Sequence, residues 1–543
     1  MSYCTVAEYK KNILIKNGLI YDGTLDNAPF TGDILISGDR IRDIAPSVDC
    51  EDAAVINAAG RMVTPGFIDI HRHADLAVFR ESFGSEELAQ GITTVGMGVC
   101  GFSFAPYTEK SEGLYSYTFP IHGPSIDGAR YPTMDSYVQA LCRINPAVNI
   151  ATQQGLGAIR LAVKGYEPSH FSDREISLAQ EYVQQAIDCG LRGFSTGLMY
   201  LPEVYNTAEE LMRILRPCRG KDLLYMPHMR YEASGLVEAV EESIAIARTN
   251  DMALSISHFK VLGPDNWRIT LERAIEKIEN ARETGMDITV DFYPYHGTAT
   301  TLASILPASF MTEDFSTTLA KITIPETIDR LRRCFNNPDP KDEWIDPTFR
   351  WRNTLITGVS QPENEKYLGK TVHECAELGG YDDEIPFLTD ILASENGNVT
   401  MVGLYMDPDD IARIAKLPYS MVISDALYNI TDTPHPRAYG SFPRMIRHFV
   451  QETGMLTMQE AIHKMTELPA KRMKYKDRGV LKAGYFADIL IFDPSNIRDH
   501  ATFADPDQLS TGIEHIFVNG TQVWKDEKQV GKSGVCLHGS SVA

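Results

Sequence analysis

Polar residues at the ends of short apolar segments recur at a regular spacing, and this spacing most constrains the fold. Ser195, His228, His258 and Asp291 each end such a segment, with intervals of 33, 30 and 33 residues between them. Helical patterns lie in the intervening stretches. Because a βα unit takes about 30 residues, the spacing predicts successive βα units with a parallel sheet and favours a barrel.

The segments around these residues give specific predictions. We predict helices at 174–189, 235–249 and 267–284, and strands at 193–196, 252–257 and 287–292. The stretch from about 298 to 368 breaks this pattern with prolines at 307, 325, 338, 340 and 347, and is predicted to be an insertion over the barrel mouth. In such barrels the residues just past the carboxyl ends of the strands carry the chemistry.

Both ends of the chain have strand and turn patterns, at 13–41 and at 487–524. They could pair into one small β domain. We therefore expect residues 1–63 and 476–543 to form the two parts of that domain, and residues 64–475 to form the barrel.

Composition limits the partners of this chain. Its 543 residues have a formal net charge of -22, which argues against nucleic acid or an anionic membrane as a partner. No apolar run reaches transmembrane length, and residues 1–11 lack the apolar core of a signal peptide, so a cytoplasmic location is expected. The nine cysteines form no CxxC pattern, and disulfides are not expected. The sequence is compatible with a homo-oligomer.

Five residues are candidate metal ligands. His71 and His73 stand in i, i+2 register after an apolar run, so a strand would project both imidazoles from one face. Cys100, His228 and His258 each end an apolar segment. One thiolate and two imidazoles can hold a zinc ion and leave a fourth position open.

Asp425 ends the short, largely apolar segment 420–425 and is the candidate general acid and base.

Each candidate also has an ordinary explanation. A strand histidine is more often a hydrogen-bonded core residue, Cys100 could be a small buried apolar residue, and Asp425 could cap a helix. The coincidence of all these residues at strand ends favours the metal site.

Several motifs together carry a family resemblance. The segment Thr64-Pro65-Gly66-Phe67-Ile68-Asp69-Ile70-His71-Arg72-His73 resembles the first-strand motif of the amidohydrolase superfamily. Further segments resemble the D-aminoacylase (N-acyl-D-amino-acid deacylase) family, over about residues 12–525: 91–95, 100–103, 194–200, 228–230, 257–260, 293–295, 424–425 and 435–443. The resemblance implies an α/β fold with a (β/α)8 TIM-like barrel and a small β-sandwich domain formed by both termini.

The resemblance also implies roles for the candidate residues. A tightly held zinc would be bound by Cys100, His228 and His258, while His71 and His73 would line a second, weaker metal site. Asp425 would activate the water. The substrate carboxylate would be held by Lys260 and Arg437, with Tyr200 and Tyr293 near the reacting carbonyl and that carboxylate. On their own, Arg437 could form a surface salt bridge and both tyrosines could be core residues.

Two positions depart from the family pattern. Where the family commonly has Gly-His-Gly before an arginine, this chain has Leu156 in the segment 155–160. Where a hydroxyl residue is expected to help bind the carboxylate, the chain has Ala299, followed by Thr300 as a substitute. Both changes weaken the expectation of a simple N-acyl-D-amino acid as substrate.

The sequence therefore predicts a zinc-dependent amidohydrolase that cleaves N-acyl-D-amino acids, small anionic amides. Two alternatives stay open at this point. One is a related hydrolase acting on a cyclic amide, such as a hydantoin or dihydropyrimidine, or on a dipeptide with a D-residue. The other is a non-catalytic assembly protein of the same shape, although such a protein is expected to lack several of the ligands found here.

Overall fold

The structure is a computed structural model, and it describes residues 12–539 except 112–117, 119, 124–128, 312–314, 339–344 and 429–432. The predicted absence of a signal peptide concerns residues 1–11, which lie outside the described residues, as does Pro340 of the predicted insertion.

The strands are numbered in chain order: β1 Ile13–Ile20, β2 Phe30–Ser37, β3 Arg40–Ala45, β4 Ala54–Asn57, β5 Met62–Pro65, β6 Phe67–Asp69, β7 Ile92–Met97, β8 Asn149–Thr152, β9 Gln154–Gly155, β10 Gly193–Gly197, β11 Leu224–His228, β12 Ala253–Ile256, β13 Ile288–Phe292, β14 Thr298–Thr301, β15 Thr354–Gly358, β16 Thr400–Gly403, β17 Ser420–Val422, β18 Ile489–Phe492, β19 Ile513–Val518, β20 Thr521–Lys525 and β21 Lys528–Gln529.

The α-helices span Ser85–Ala89, Met134–Leu141, Leu156–Lys164, Asp173–Asp188, Ala208–Ile214, Leu236–Thr249, Ile269–Glu283, Phe315–Lys321, Pro325–Asn336, Pro347–Asn353, Val372–Gly379, Glu384–Ser394, Pro408–Ala415, Arg437–Arg444, Met458–Met465 and Glu467–Met473. A π-helix, Met445–Glu452, continues the helix that ends at Arg444. No helix in the described part of the chain is both long and apolar enough to cross a membrane.

Strands from both ends of the chain form one nine-stranded sheet. Its order is β21-β20-β19-β18-β5-β1-β2-β3, with β4 beside β1. The two ends of the chain meet where β18 pairs antiparallel with β5, and Ile489 stands opposite Pro65 there. Ile15, Ile34 and Phe517 belong to an apolar cluster of this sheet that is separate from the main core. Both termini therefore contribute to one sheet with its own core.

The central strands are parallel. Six of them form a sheet in the order β17-β13-β12-β11-β10-β9, and three more form a sheet in the order β6-β7-β8. A parallel bridge between Arg72 and Ala426 connects the chain just past β6 with the chain just past β17. The backbone N–H of His73 donates to the carbonyl of Ala426 at 3.0 Å. The predicted α/β class with a parallel sheet is confirmed.

Helices lie between these strands where the sequence predicts them. The helices Asp173–Asp188, Leu236–Thr249 and Ile269–Glu283 agree with the predicted spans within two residues at each end. In the first, the Ser172 side chain accepts from the N–H of Glu175, whose side chain accepts in return from the N–H of Ser172. This capping box satisfies donors at the helix start and explains why the helix begins there.

The segment between β13 and β17 interrupts the alternation of helices and parallel strands. It contains β14, β15 and β16, which form a separate antiparallel sheet in the order β14-β16-β15. Three helices, Phe315–Lys321, Pro325–Asn336 and Pro347–Asn353, fall within the range 298–368 predicted as an insertion. Residues of this segment line a cavity beside the candidate site.

Candidate metal centre

The carboxyl ends of three parallel strands bring a thiol and two imidazoles together. Cys100 follows β7 and His258 follows β12, and Sγ of Cys100 lies 3.4 Å from Nε2 of His258. His71, which follows β6, places its Nε2 3.3 Å from the same sulfur. All three side chains are buried. Three soft or borderline donors from three strands thus converge on one point.

The backbone at this point adopts an uncommon conformation. Cys100, His258 and Asp425 have φ values of 51°, 34° and 50°, in the left-handed region that residues other than glycine rarely occupy. Each of them stands just after the end of a strand. Such backbone persists only where the surrounding structure enforces it, and it clusters at functional sites. The three positions are therefore marked by their backbone as well as by their side chains.

A second group shares His71 with the first. Nε2 of His73 lies 3.3 Å from Oδ1 of Asp425, and Nε2 of His71 lies 3.6 Å from the same oxygen. The i, i+2 spacing thus directs both imidazoles toward one carboxylate, on the side of the centre that β17 provides.

A third group contains His228 and a residue that the sequence analysis did not single out, Glu232. The rings of His228 and His258 have centroids 4.3 Å apart, and Oε1 of Glu232 lies 3.0 Å from Nδ1 of His258. Neither ring nitrogen of His228 has a hydrogen-bond partner among the described residues. Burial, with the nearby His258 next in weight, holds the pKa of His228 well below its ordinary value. A buried neutral imidazole without a partner is suited to bind a cation.

These donors fit a zinc ion. In a tetrahedral site, Zn–S and Zn–N bonds of about 2.3 and 2.0 Å place sulfur and nitrogen about 3.5 Å apart. The observed separations from Sγ of Cys100 to the imidazoles are 3.3 and 3.4 Å. Burial raises the pKa of the Cys100 thiol to about 11, so that a bound cation would be needed to stabilise the thiolate.

All five predicted ligands lie in these three overlapping groups. The sequence analysis assigned His71 to the weaker site, whereas in the structure it is in contact with Cys100 of the tight set. The division into a tight and a weaker site stays a prediction.

Asp425 is paired with a buried cation. Nη1 of Arg437 lies 2.8 Å from Oδ2 of Asp425, and the Arg437 side chain is almost fully buried. Burial by itself would raise the pKa of Asp425, but Arg437 and the hydrogen bond with His73 outweigh it and hold the pKa well below its usual range. The Asp425 carboxyl is therefore ionised at neutral pH, which is the state that a proton acceptor requires.

Lys260 is likewise engaged. Its Nζ lies 2.6 Å from Oε1 of Glu232 and donates to the carbonyl of His258 at 2.9 Å. Burial would lower the pKa of Lys260, but the Glu232 carboxylate outweighs it, and the pKa is raised. Both cations predicted to hold a substrate carboxylate thus already face a carboxylate of the protein.

Two acidic residues support the centre beyond the predicted set. Asp291, predicted only as the end of a strand, accepts from the backbone N–H of His258 at 2.5 Å and has Oδ1 3.7 Å from Nδ1 of His71. Glu232 stands four residues after His228, and this His-x-x-x-Glu spacing is the signal that could have indicated it.

The two predicted tyrosines are also beside the centre. The Tyr200 hydroxyl lies 3.0 Å from Oγ1 of Thr300, and its ring centroid is 4.8 Å from that of His228. The ring of Tyr293 lies under the Arg437 guanidinium, 4.5 Å from its central carbon. Thr300 therefore pairs with Tyr200, while its neighbour Ala299 offers only a backbone carbonyl to Arg437, at 3.2 Å.

Comparisons with known proteins agree with this geometry. A sequence model of the amidohydrolase family matches residues 391–530. The chain is 31% identical to the D-aminoacylase of Alcaligenes xylosoxydans xylosoxydans over 523 residues, 96% of each chain. It is 32% identical to the N-acyl-D-glutamate deacylase of the same organism over 524 residues, 95% of this chain and 94% of that relative.

A solved structure is similar over nearly the whole length. It is the crystal structure of N-acyl-D-glutamate deacylase from Bordetella bronchiseptica, complexed with zinc and a phosphonate inhibitor that mimics the tetrahedral intermediate of its reaction. The TM-score is 0.80 at 30% sequence identity, with 98% of this chain and 100% of that chain covered.

Thiol, imidazole and carboxylate donors gathered at the ends of parallel strands define the class of metal-dependent amidohydrolases. Within that class, this chain belongs to the D-aminoacylase (N-acyl-D-amino-acid deacylase) family. The family predicted from the sequence motifs is confirmed.

Proposed function

We propose that this protein is a zinc-dependent deacylase that hydrolyses the amide bond of N-acyl-D-amino acids to a carboxylate and a free D-amino acid. One observation carries the proposal: Sγ of Cys100 lies 3.3 Å from Nε2 of His71 and 3.4 Å from Nε2 of His258, and Oδ1 of Asp425 lies 3.6 Å from Nε2 of His71. The printed names of the relatives, D-aminoacylase and N-acyl-D-glutamate deacylase, support the reaction class.

The residues proposed to hold the metal are Cys100, His228 and His258, with His71 and His73 available to a second ion. Support comes from the 3.4 Å between Sγ of Cys100 and Nε2 of His258, from the His228 ring beside that of His258, and from the unpartnered nitrogens of His228. When bound, zinc supplies Lewis-acid polarisation of the amide carbonyl.

Asp425 is proposed as the proton carrier. Its carboxylate takes a proton from the attacking water and returns it to the departing amine nitrogen. Tyr200 is proposed to donate its hydroxyl hydrogen to the carbonyl oxygen as negative charge develops there. Burial holds the pKa of Tyr200 well above its ordinary value, so the hydroxyl keeps its proton.

The carboxylate of the substrate is proposed to bind near Arg437, Lys260 and Tyr293. A guanidinium can bind a carboxylate through two parallel hydrogen bonds. Nε of Arg437 is buried and has no hydrogen-bond partner among the described residues. This unpartnered nitrogen supports binding of the substrate carboxylate at Arg437. Lys260 stays paired with Glu232 and contributes positive charge to the same region.

We also propose that the parallel strands close into a (β/α)8 barrel. Going round, the strands would be β6, β7, β8 with β9, β10, β11, β12, β13 and β17. The bridge between Arg72 and Ala426 supports closure between the last strand and the first. Residues 64–475 would form this barrel with its insertion at about 298–368.

Residues 1–63 and 476–543 are proposed to form the small β domain. A sandwich arrangement of its sheet is supported by the separate apolar cluster and by the antiparallel bridge between Arg40 and Phe486, which connects β3 to the chain before β18.

A cytoplasmic location and a small anionic amide as partner complete the proposal. The cysteines in the described part of the chain are free.

The test is amine release by the purified, zinc-loaded protein from N-acetyl-D-methionine and N-acetyl-L-methionine, with hydantoin as a further substrate and zinc content measured on the same sample. The proposal expects release from the D-substrate alone. A fully zinc-loaded protein that releases no amine from any N-acyl-D-amino acid, or that cleaves both enantiomers equally, would contradict it.

A further inference from the structure

Besides the cavity at the metal centre, whose wall includes Arg230, a second cavity lies at the opposite end of the parallel strands. Its volume is about 250 Å³, and Leu224 and Ala253, the first residues of β11 and β12, lie on its wall. His228 is the last residue of β11, so at about 3.3 Å per residue the wall and the metal centre are about 13 Å apart along this strand. The second cavity is therefore separate from the proposed active site.

Basic side chains dominate the wall of the second cavity. Five of them line it, against two carboxylates. The basic residues are Arg192, Arg282, Lys471, Arg472 and Lys474. The chain as a whole has a formal net charge of -22. The cavity thus reverses the sign of the charge locally, which is the condition for an anion to approach an acidic protein.

Two of the arginines on the wall have donors to spare. Asp287 accepts from Nη1 and Nη2 of Arg472 at 3.0 and 2.5 Å, but Nε of Arg472 is buried and has no hydrogen-bond partner among the described residues. Only 6% of the Arg472 side chain is exposed. Nε of Arg192 is also buried without a partner there, and Arg192 forms no ion pair within the described part of the chain. Buried donors of this kind call for an acceptor, and an anion in the cavity would provide one.

The other three cations keep most of their charge available. Arg282 donates to a backbone carbonyl, which is neutral. Lys474 is paired with Asp222, whose side chain is 82% exposed. Lys471 is paired with Glu467, and the Lys471 side chain is 69% exposed. Because solvent-exposed ion pairs hold together only weakly, both lysines are able to turn toward an anion in the cavity.

We propose that this cavity binds a phosphate group, either as inorganic phosphate or as the terminal group of a phosphorylated small molecule. Guanidinium N–H groups bind phosphate oxygens in pairs, and the charge of a phosphate group at neutral pH exceeds that of a carboxylate, which suits a wall with an excess of cations. The volume lies below the 300–1,000 Å³ or so of sites for drug-sized ligands, in agreement with a small anion. The inference is independent of the proposed deacylase function, because it concerns the other end of the strands.

Calorimetric titration of the purified, zinc-loaded protein, freed of unbound zinc, tests the proposal. Inorganic phosphate, glycerol 3-phosphate and acetate are compared at constant ionic strength. We expect at least one of the two phosphate compounds to bind about tenfold or more tightly than acetate. Tighter binding of inorganic phosphate would identify the free anion as the ligand, and tighter binding of glycerol 3-phosphate would identify a phosphorylated small molecule.

Variants of the wall separate this cavity from the metal centre, where an anion could also bind. Arg192→Gln removes the guanidinium that lacks an ion pair and should weaken phosphate binding about tenfold or more, with zinc content unchanged. Lys471→Gln, at an exposed position, should weaken it by a smaller factor and serves where Arg192→Gln does not fold. Arg216→Gln, at an exposed arginine that does not line the cavity, is the matched control and should bind phosphate as the native protein does.

Three results would overturn the inference. The first is no measurable binding of either phosphate compound to the native protein. The second is equal phosphate affinity in the native protein, Arg192→Gln and Lys471→Gln, which would place the anion elsewhere, for example at the metal centre. The third is acetate binding that equals phosphate binding and is weakened by the same variants, which would exclude a preference for phosphate.

Discussion

The sulfur of Cys100 lies 3.4 Å from Nε2 of His258, although 158 residues separate them in the chain, and both residues have left-handed backbone. The strands that precede them, β7 and β12, both have their carboxyl ends at the candidate metal centre. Because packing holds both side chains in place, a metal ion would meet donors that are already oriented, and little ordering would be needed on binding.

Replacing Cys100 with alanine should remove the thiolate and weaken zinc binding at least about 100-fold, since it removes a donor itself rather than a residue behind it. Zinc content after dialysis and amine release from an N-acyl-D-amino acid would measure this. Cys218→Ala, at another fully buried cysteine, is the control and should keep its zinc. A Cys100→Ala protein with full zinc content would contradict the assigned ligand.

Asp425→Asn should lower kcat by about 10²- to 10⁴-fold, because the amide cannot take up and return the proton. Zinc content should stay at the wild-type level. The rate of amine release by the zinc-loaded protein at saturating substrate would measure kcat. Asp265→Asn, at an exposed carboxyl, is the control. Wild-type turnover in Asp425→Asn would show that another group carries the proton.

Glu232→Gln should weaken zinc binding about 10- to 100-fold, because the Glu232 carboxylate faces Nδ1 of His258 and sets which nitrogen of that ring is free for a metal. Competition with a chelator would measure the zinc affinity. The matched control is Glu242→Gln, which alters the cavity wall at Arg230 without touching a proposed ligand. Equal zinc affinities for the two variants would rule out a positioning role for Glu232.

Glu203 should make stability depend on pH. Burial raises the pKa of Glu203 from 4.5 to about 8, although the carboxylate accepts a hydrogen bond from the N–H of Gly197. Between these values the unfolded chain releases the proton and the native chain keeps it, so the stability contributed by Glu203 falls as pH rises through this window. Above about pH 8 the loss is complete.

Glu203→Gln removes this titration, so its Tm relative to wild type should rise between about pH 5 and about pH 8. Thermal unfolding at the two pH values measures the difference. Glu175→Gln is a control, because the pKa of Glu175 is lowered to about 2 and its titration lies below this range. A Tm difference for Glu203→Gln that does not change with pH would refute the assignment.

Much of the local structure could be predicted from the sequence. The helix Asp173–Asp188 was predicted within one residue at each end, because a capping box and an apolar repeat of three to four residues both act within a few residues. Candidate donors could be predicted because each one ends an apolar segment. Glu232 was missed, since its importance depends on contacts with His258 and Lys260 from the neighbouring strand.

The sequence alone determined the alternation of strands and helices, the residues at the strand ends and the family, because periodicity, capping and motif spacing are properties of neighbours along the chain. Only the tertiary structure decided that His71 is in contact with Cys100, that Arg437 is paired with Asp425, and that the insertion forms the wall of an apolar cavity. These relationships join residues far apart in sequence, and their distances are set by how strands, helices and the insertion pack together.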